Sequence, residues 1–319
     1  MSEFNLIAQY FTRPSANADL GVGDDGALVQ VSAGHQLVIS TDMLVAGTHF
    51  LPDCPAFELG WKSLAVNISD MAAMGANPKW ATLAIALPQQ DQAWLAAFST
   101  GFFACADAFG LSLIGGDTTR GPLNISVQIM GEVPLGKALR RDGAKVGDEI
   151  WVSGILGQAA LGLAQLQNKL GQTALSNAEK QICITALQAP QPRVALGLAL
   201  RDIAHSAIDI SDGLLADLGH ILERSQLGAH LYWQQIPHVS ISTGLDLATM
   251  QNLSLAGGDD YELCFTAGAS AHDEILALGK KLDLRLSCIG VTTAENKCHI
   301  FDERQQLIKL TSTGYDHFN

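Results

Sequence analysis

Long apolar runs are missing from this chain of 319 residues. No stretch approaches the about 20 apolar residues that a membrane-spanning helix needs, so we expect no membrane partner. The first residues, MSEFNLIAQYFTR, carry Glu3 early and lack the apolar segment of a secretory signal. The composition, with 48% hydrophobic and 16% charged residues, is that of a globular protein, and the length favours two domains.

Cysteine motifs and positive charge are also scarce. None of the six cysteines forms a C-x-x-C pair, so we expect reduced thiols in a cytoplasmic protein and no structural zinc site. Lys and Arg number 19 against 32 Asp and Glu, which gives a formal net charge of −13. Such a surface repels nucleic acid and anionic lipid, and we exclude both as partners. It also repels nucleoside triphosphates unless metal ions intervene.

Several familiar catalytic motifs are absent. The run SGILGQAALG (153–162) resembles a phosphate loop but lacks the ending G-K-[ST], and tight helix packing is its other interpretation. LGVGDDGAL (20–28) is not a dinucleotide fingerprint, because no helix pattern opens within it and no strand–helix–strand unit follows. No G-x-S-x-G elbow or Ser–His–Asp arrangement is present, which argues against a serine hydrolase.

The first half contains patterns of both helix and strand. Helices are predicted at 4–11, 57–75 and 91–109, and a strand at 35–45. The first helix has an apolar side formed by Phe4, Ile7, Ala8 and Phe11. Alternation along the strand puts Ser40 and Asp42 on one face, and Asn67 and Asp70, three apart, are neighbours on the second helix.

Residues 111–133 alternate at both ends and predict a hairpin with an enlarged loop, GGDTTRGP. The polar, glycine-punctuated segment 136–148 is the best candidate for a domain connection. In the second half, residues 204–225 predict a strand, a Ser211–Asp212–Gly213 turn and an apolar-striped helix. Neither half shows regular strand–helix alternation, so the sequence predicts a mixed α+β fold.

Aspartates within two residues of a glycine, serine or threonine are the most informative feature. They are Asp24, Asp25, Asp42, Asp70, Asp117, Asp209, Asp212, Asp259 and Asp260. Taken singly, each could be a solvated turn residue or a helix cap, and Asp212 could cap the helix after Gly213. If they converge, their mutual repulsion requires cations, and Mg²⁺ carried with a phosphate is the commonest case. The sequence leaves both interpretations open.

Seven segments extend the interpretation to a family. VGDDGAL, STDMLVAGTHF, AVNISDMAAMGANP, LIGGDTTRG, AIDISDGLLADLGHI, GGDDYELCF and GYDHF occur in this order. Together they resemble the thiamine-monophosphate kinases, within the superfamily of aminoimidazole ribonucleotide synthetase. Selenophosphate synthetases of that superfamily need a reactive cysteine or selenocysteine and a lysine near the N-terminal glycine loop, and residues 15–28 contain neither.

The resemblance implies a two-domain α+β fold. The N-terminal domain (1–137) would bind metal and ATP and form a β-barrel across a homodimer. A C-terminal α/β domain (138–319) would complete the active-site cleft. The implied reaction is direct in-line transfer of the γ-phosphate of ATP to thiamine monophosphate, assisted by several Mg²⁺ ions. No side chain is expected to act as a general base, because the acceptor phosphate is already anionic.

The resemblance also implies roles for individual residues. The implied magnesium ligands are Asp25, Ser40, Thr41, Asp42, Asp70, Asp117, Asp209 and Asp212. The implied ATP contacts are Gly116, Asp117, Arg141 and Ser211. The implied thiamine-monophosphate contacts are His49, Asp259 and Tyr315. One position departs from the family pattern, because a glutamate is usual where this chain has Asp259.

Two other functions remain open at this stage. An aspartate-rich, metal-dependent phosphohydrolase would use the same acidic residues. A nucleotide-binding relative without catalytic activity would keep the fold and lose the chemistry.

Overall fold

The structure, a computed structural model, describes residues 2–171, 175–242, 244–309 and 314–315. The chain divides into two compact units. The first comprises Met1–Met71 and Ala76–Ala138, and the second comprises Ala72–Gly75 and Leu139–Asn319. Each unit has its own β-sheet and its own helices, so the fold is a two-domain α+β fold. Among the helices of these ranges, none has the length and apolar content needed to cross a bilayer.

The N-terminal unit is a four-stranded sheet with three helices. Its elements are α1 (Glu3–Tyr10), β1 (His35–Val45), α2 (Ala56–Ala73), β2 (Asn77–Leu87), α3 (Gln92–Phe109), β3 (Ser112–Arg120) and β4 (Asn124–Pro134). The strand order is β1-β4-β2-β3. Strand β4 is antiparallel to both β1 and β2, whereas β2 and β3 are parallel. Within the described residues this sheet is open, with β1 and β3 at its edges.

Local signals in the sequence explain the ends of α3. The Asp91 side chain accepts hydrogen bonds from the first free amides of the helix, and Gly110 ends it in the left-handed conformation. The helix packs its aromatic side chains into the core, where Phe98 and Phe102 are fully buried. Trp80 on β2 is also buried there. The predicted positions of α1, β1, α2 and α3 are therefore confirmed to within two residues.

The predicted hairpin at 111–133 is wrong. Strands β3 and β4 do not pair, because β2 lies between them. The chain crosses the end of β2 after Arg120, where the Gly121 amide donates to the Leu87 carbonyl at 3.0 Å. The residues GGDTTR, which composition assigned to a loop, belong to β3. The prediction failed because the strand pattern of β2 was not recognised in the sequence.

The C-terminal unit is built on a six-stranded sheet. Its strands are β5 (Glu149–Ser153), β6 (Ala204–Asp209), β7 (Gly228–Tyr232), β8 (Leu263–Ala267), β9 (Leu286–Thr293) and β10 (Cys298–Phe301). Its α-helices are α4 (Gln158–Leu166), α5 (Asn177–Gln188), α6 (Val194–Ala199), α7 (Leu214–Ser225), α8 (Leu247–Ala256) and α9 (His272–Lys281). The strand order is β10-β7-β9-β5-β8-β6, and only β10 and β7 pair in parallel.

The description of this unit as α/β is therefore corrected to α+β. An α/β unit requires a mainly parallel sheet, whereas four of these five strand pairs are antiparallel. The predicted apolar stripe of α7 is confirmed, because Leu214, Leu218 and Ile221 are fully buried. This helix begins directly after the Ser211–Asp212–Gly213 turn, so its packing fixes where that turn lies.

Candidate active site

Two carboxylates approach each other in the N-terminal unit. Ser40 and Asp42 share one face of β1, as predicted, and this face meets α2. The Ser40 Oγ donates to Asp70 Oδ2 at 2.5 Å, and the Asp42 amide donates to Asn67 Oδ1 at 3.1 Å. Burial and the nearby Asp70 carboxylate raise the pKa of Asp42 to about 7. The site is therefore rich in oxygen donors and carries an unfavourable concentration of negative charge.

Thr41 and His49 are two further predicted residues of this unit. Alternation along β1 puts the Thr41 side chain on the exposed face, opposite to Ser40 and Asp42. The Val45 amide donates to His49 Nδ1 at 3.0 Å. A ring nitrogen that accepts a hydrogen bond carries no proton, so the neutral His49 ring has its proton on Nε2.

A second group of predicted residues lines a cavity of about 590 Å³. Its walls are α1, the glycine loop at 22–25 and the middle of β3, which includes Gly116 and Asp117. Gly116 has φ 152°, and a Cβ added there would lie 1.9 Å from the Leu83 carbonyl oxygen. Only glycine fits this position, and it leaves the main chain of β3 accessible. Asp25 and Asp117 are both exposed in this cavity.

The cavity and the carboxylate pair are separate places on one sheet. Asp42, Val127, Leu83 and Gly116 form one row across β1, β4, β2 and β3. Three strand spacings of about 4.8 Å separate the two ends of the row by about 14 Å along the sheet. Among the described residues, no group of three His, Cys, Asp or Glu side chains is arranged to hold a metal ion. The selected aspartates therefore occur in smaller groups.

In the C-terminal unit, the turn before α7 is held by a residue that sequence reasoning missed. One oxygen of Asp217, Oδ2, accepts hydrogen bonds from the amides of Ser211, Asp212 and Gly213 at 3.0, 3.0 and 3.1 Å. Burial and the Asp212 carboxylate raise the pKa of Asp217 to about 7, although the three amides act in the opposite direction. The N-cap residue of α7 is Gly213, so Asp212 stands one position before the cap.

The same turn meets two other predicted residues. The Asp259 amide donates to the Ser211 carbonyl at 2.8 Å, and the Tyr315 amide donates to the Asp212 carbonyl at 3.0 Å. Asp259 has φ 67°, a left-handed conformation that aspartate tolerates better than most residues. Its Oδ1 accepts a hydrogen bond from the Tyr261 hydroxyl at 3.2 Å. The structure thus brings Ser211, Asp212, Asp259 and Tyr315 together.

Buried acidic residues fix the segment that follows Asp259. Both carboxylate oxygens of Asp260 accept from the Gly157 amide at the start of α4, at 3.1 and 2.9 Å. Glu262 receives two hydrogen bonds from the Arg193 guanidinium and one from Ser153 Oγ at 2.5 Å. The Asp260 carboxylate is therefore bound to the start of α4.

The two remaining predicted residues lie at the edge of the C-terminal sheet. Asp209 is the last residue of β6 and is 5% exposed. The Arg141 side chain is exposed, and its main-chain carbonyl accepts from Ser225 Oγ at 3.0 Å. Of the terminal motif GYDHF, Asp316, His317 and Phe318 lie outside the described residues.

Comparisons with known proteins decide the family. The model of the AIR synthase related protein, N-terminal domain, matches residues 23–133, and that of its C-terminal domain matches residues 145–303. Thiamine-monophosphate kinase of Escherichia coli is 46% identical over 321 residues, which cover 99% of this chain and 98% of the relative. The chain belongs to the thiamine-monophosphate kinase family.

Solved structures of this family have the same fold. Thiamine-monophosphate kinase from Stenotrophomonas maltophilia is 48% identical, with a TM-score of 0.83 over 93% of this chain and 94% of that chain. AaThiL complexed with AMPPCP and TMP is 27% identical, with a TM-score of 0.74 over 93% and 92%. Hydrogenase maturation protein HypE in complex with ATP has a TM-score of 0.78 at 22% identity, which shows a shared fold.

Proposed function

We propose that this protein transfers the γ-phosphate of ATP to the phosphate of thiamine monophosphate. The observation that carries the proposal is the 46% identity to a thiamine-monophosphate kinase over almost the full length of both chains. The AaThiL complex with AMPPCP and TMP supports it, because these ligands represent the nucleotide and the acceptor. Neither rival function, hydrolase or inactive binder, has comparable support.

We further propose the residue roles that the family resemblance implies. Gly116, Asp117, Arg141 and Ser211 would contact ATP. His49, Asp259 and Tyr315 would contact thiamine monophosphate. Asp25, Ser40, Thr41, Asp42, Asp70, Asp117, Asp209 and Asp212 would hold Mg²⁺. Two parts of this set have local support, namely the oxygen donors shared by β1 and α2 and the contacts around the Ser211–Asp212 turn.

The donor set fits a hard cation. Ser40, Asp42 and Asp70 present only oxygen atoms, the ligand type that Mg²⁺ prefers. Burial and the neighbouring Asp70 carboxylate both raise the pKa of Asp42, so its charged form is disfavoured in the metal-free protein. When bound, Mg²⁺ would supply positive charge and offset the repulsion between two phosphate-bearing substrates. The protein contributes mainly by orienting the substrates, since an anionic acceptor oxygen needs no general base.

The acceptor end has chemistry that suits thiamine. Its thiazolium ring is cationic, and the Asp259 carboxylate would face that charge. The hydrogen bond from Tyr261 holds the carboxylate in one orientation. The Tyr315 ring, 52% exposed, would stack on an aromatic ring of the substrate. These residues therefore suit thiamine monophosphate better than a phosphate ester whose organic part carries no positive charge.

We also propose that the N-terminal units of two chains pair into a β-barrel. Strand β1 is an edge strand, and its face opposite α2 exposes Leu37, Ile39 and Met43 by 38%, 55% and 55%. An apolar edge of this kind invites pairing with another chain. Sedimentation should show a dimer, and Ile39→Lys should weaken it. A wild-type monomer at micromolar concentration would contradict this proposal.

Residues 1–137 would form the metal-binding, ATP-binding and dimerisation domain, and residues 138–319 would form the second domain. All six cysteines are unpaired, which fits a cytoplasmic location.

A coupled assay tests the proposed reaction. ADP release should require thiamine monophosphate and Mg²⁺, and thiamine or hydroxymethylpyrimidine phosphate should not replace the acceptor. Free phosphate as the only product would favour the hydrolase. Tight ATP binding without turnover would favour the inactive relative. Substantial activity in excess chelator would contradict the metal roles.

A further inference from the structure

The apolar side of α1 faces a cavity along most of its length and reaches the core at Phe11. Leu6 and Tyr10 are the residues that the helix buries, at 1% and 9% exposure. The predicted stripe instead lines the 590 Å³ cavity with all four of its members, namely Phe4, Ile7, Ala8 and Phe11. Phe4 is 79% exposed, whereas Phe11, two turns further along, is 5% exposed. The stripe therefore runs from the protein interior out to the mouth of the cavity.

The cavity has two walls of different chemistry. Helix α1, together with Leu83 and Leu113, supplies apolar side chains. The rest of the lining includes the acidic and glycine-rich segments 23–25 and 115–117. An apolar wall suits a flat heteroaromatic base, and an acidic wall with accessible main chain suits phosphates carried with a divalent cation. The volume is within the about 300–1,000 Å³ typical of small-ligand sites.

The apolar wall is firmly attached to the rest of the unit. The Phe11 ring packs edge-on against Phe98 of α3, with centroids 6.3 Å apart. Directly after the helix, the Arg13 guanidinium lies 3.8 Å from the centroid of the Phe103 ring and pairs with Asp107 at 3.3 Å. These contacts hold the C-terminal end of α1 against α3.

We propose that α1 is the base-binding wall of the nucleotide site and that the purine of ATP stacks on Phe4. The inference rests on the proposed kinase function and adds to it a residue outside every motif used to assign the site. It follows that Phe4 contributes to nucleotide affinity without touching the reacting phosphates. Its removal should raise the KM for ATP and leave kcat and the KM for thiamine monophosphate unchanged.

The test compares Phe4→Ala with Phe57→Ala in the full-length enzyme. Phe57 is the matched control, because it is also an exposed phenylalanine on a helix (41%) but does not line the cavity. Base stacking on an aromatic side chain predicts an increase of about 10-fold in the KM for ATP for Phe4→Ala. Phe57→Ala should change it less than 2-fold. Phe4→Trp should keep the wild-type KM.

Direct binding separates this inference from the proposed reaction. In Phe4→Trp, ATP should quench fluorescence beyond the change seen in the wild type, and this readout needs no turnover. A Phe4→Ala KM within 2-fold of wild type, with no quenching in Phe4→Trp, would overturn the inference even in an active kinase. A changed oligomeric state in Phe4→Ala with an unaltered KM would overturn it too, since Phe4 would then belong to an interface. If the wild type fails to phosphorylate thiamine monophosphate, the quenching experiment still tests whether the base of ATP binds at residue 4.

Discussion

Replacing Asp42 by asparagine should stabilise the metal-free protein at neutral pH but not at strongly acidic pH. The pKa of Asp42 rises from 3.8 to about 7 in the folded state. Unfolding therefore releases a proton between these values, and the wild type loses stability as pH rises through that window. A pKa difference of about three, at about 1.4 kcal/mol for each pKa unit, sets an upper value of about 4 kcal/mol for the gain in the free energy of unfolding. Because the side chain is only partly buried, we expect about 2 kcal/mol.

The assay is thermal unfolding in excess chelator from pH 3.5 to 8. Asp42→Asn and wild type should have similar Tm values near pH 3.5, where both side chains are neutral. Above pH 7 the variant should melt about 4–8 °C higher. Adding Mg²⁺ should raise the Tm of the wild type more than that of the variant. Asp53→Asn, at an exposed position, controls for a general charge effect. A Tm difference that stays constant across the pH range would refute the reasoning, because it would not follow the Asp42 charge.

Three further predictions concern catalysis and stability. Asp70→Asn should lower kcat at least about 100-fold, equivalent to about 3 kcal/mol of transition-state stabilisation, and a variant that instead unfolds easily with normal kcat would make Asp70 structural. Asp259→Ala should raise the KM for thiamine monophosphate alone, whereas a raised KM for ATP would place Asp259 at the nucleotide. Glu262→Gln should destabilise the protein by about 3 kcal/mol in urea unfolding, because it removes the negative partner of the partly buried Arg193 charge. Adding Arg193→Met should recover part of the loss if the ion pair is the cause.

Periodicity predicted strand β1 and helix α2. Their spacing correctly put Ser40 with Asp42 and Asn67 with Asp70. Strand β2 was missed, and with it the order of the sheet. Strand β3 was taken for a loop because glycine usually marks turns, whereas Gly116 is required by the close approach of the Leu83 carbonyl. Such an approach depends on the neighbouring strand and has no signature in the local sequence.

In the candidate site, too, the local sequence predicted some residues, whereas others depend on contacts that only the fold creates. Side chains beside glycine were found because small residues mark places where a ligand can approach. The structural roles of Asp217 and Asp260 were not predicted, because both carboxylates accept hydrogen bonds from main-chain amides, which every sequence supplies. A signal existed for Asp217, since it is an acidic residue in the first turn of a predicted helix. For Asp260, only the fold brings Gly157 within reach.

The position of β4 in the sheet has a consequence for biosynthesis. This strand lies between β1 and β2, yet it is the last of the four to be made. Its register joins His35 to Pro134, so the pairing closes a loop of about a hundred residues, which slows folding. Until residue 134 has left the ribosome, β1 and β2 each lack their shared neighbour and expose an unpaired edge. At about 5–20 residues per second, residues 45–134 take several seconds to synthesise. Throughout that interval the nascent chain presents strand β1 without its partner, and an unpaired strand edge of this kind is prone to aggregate.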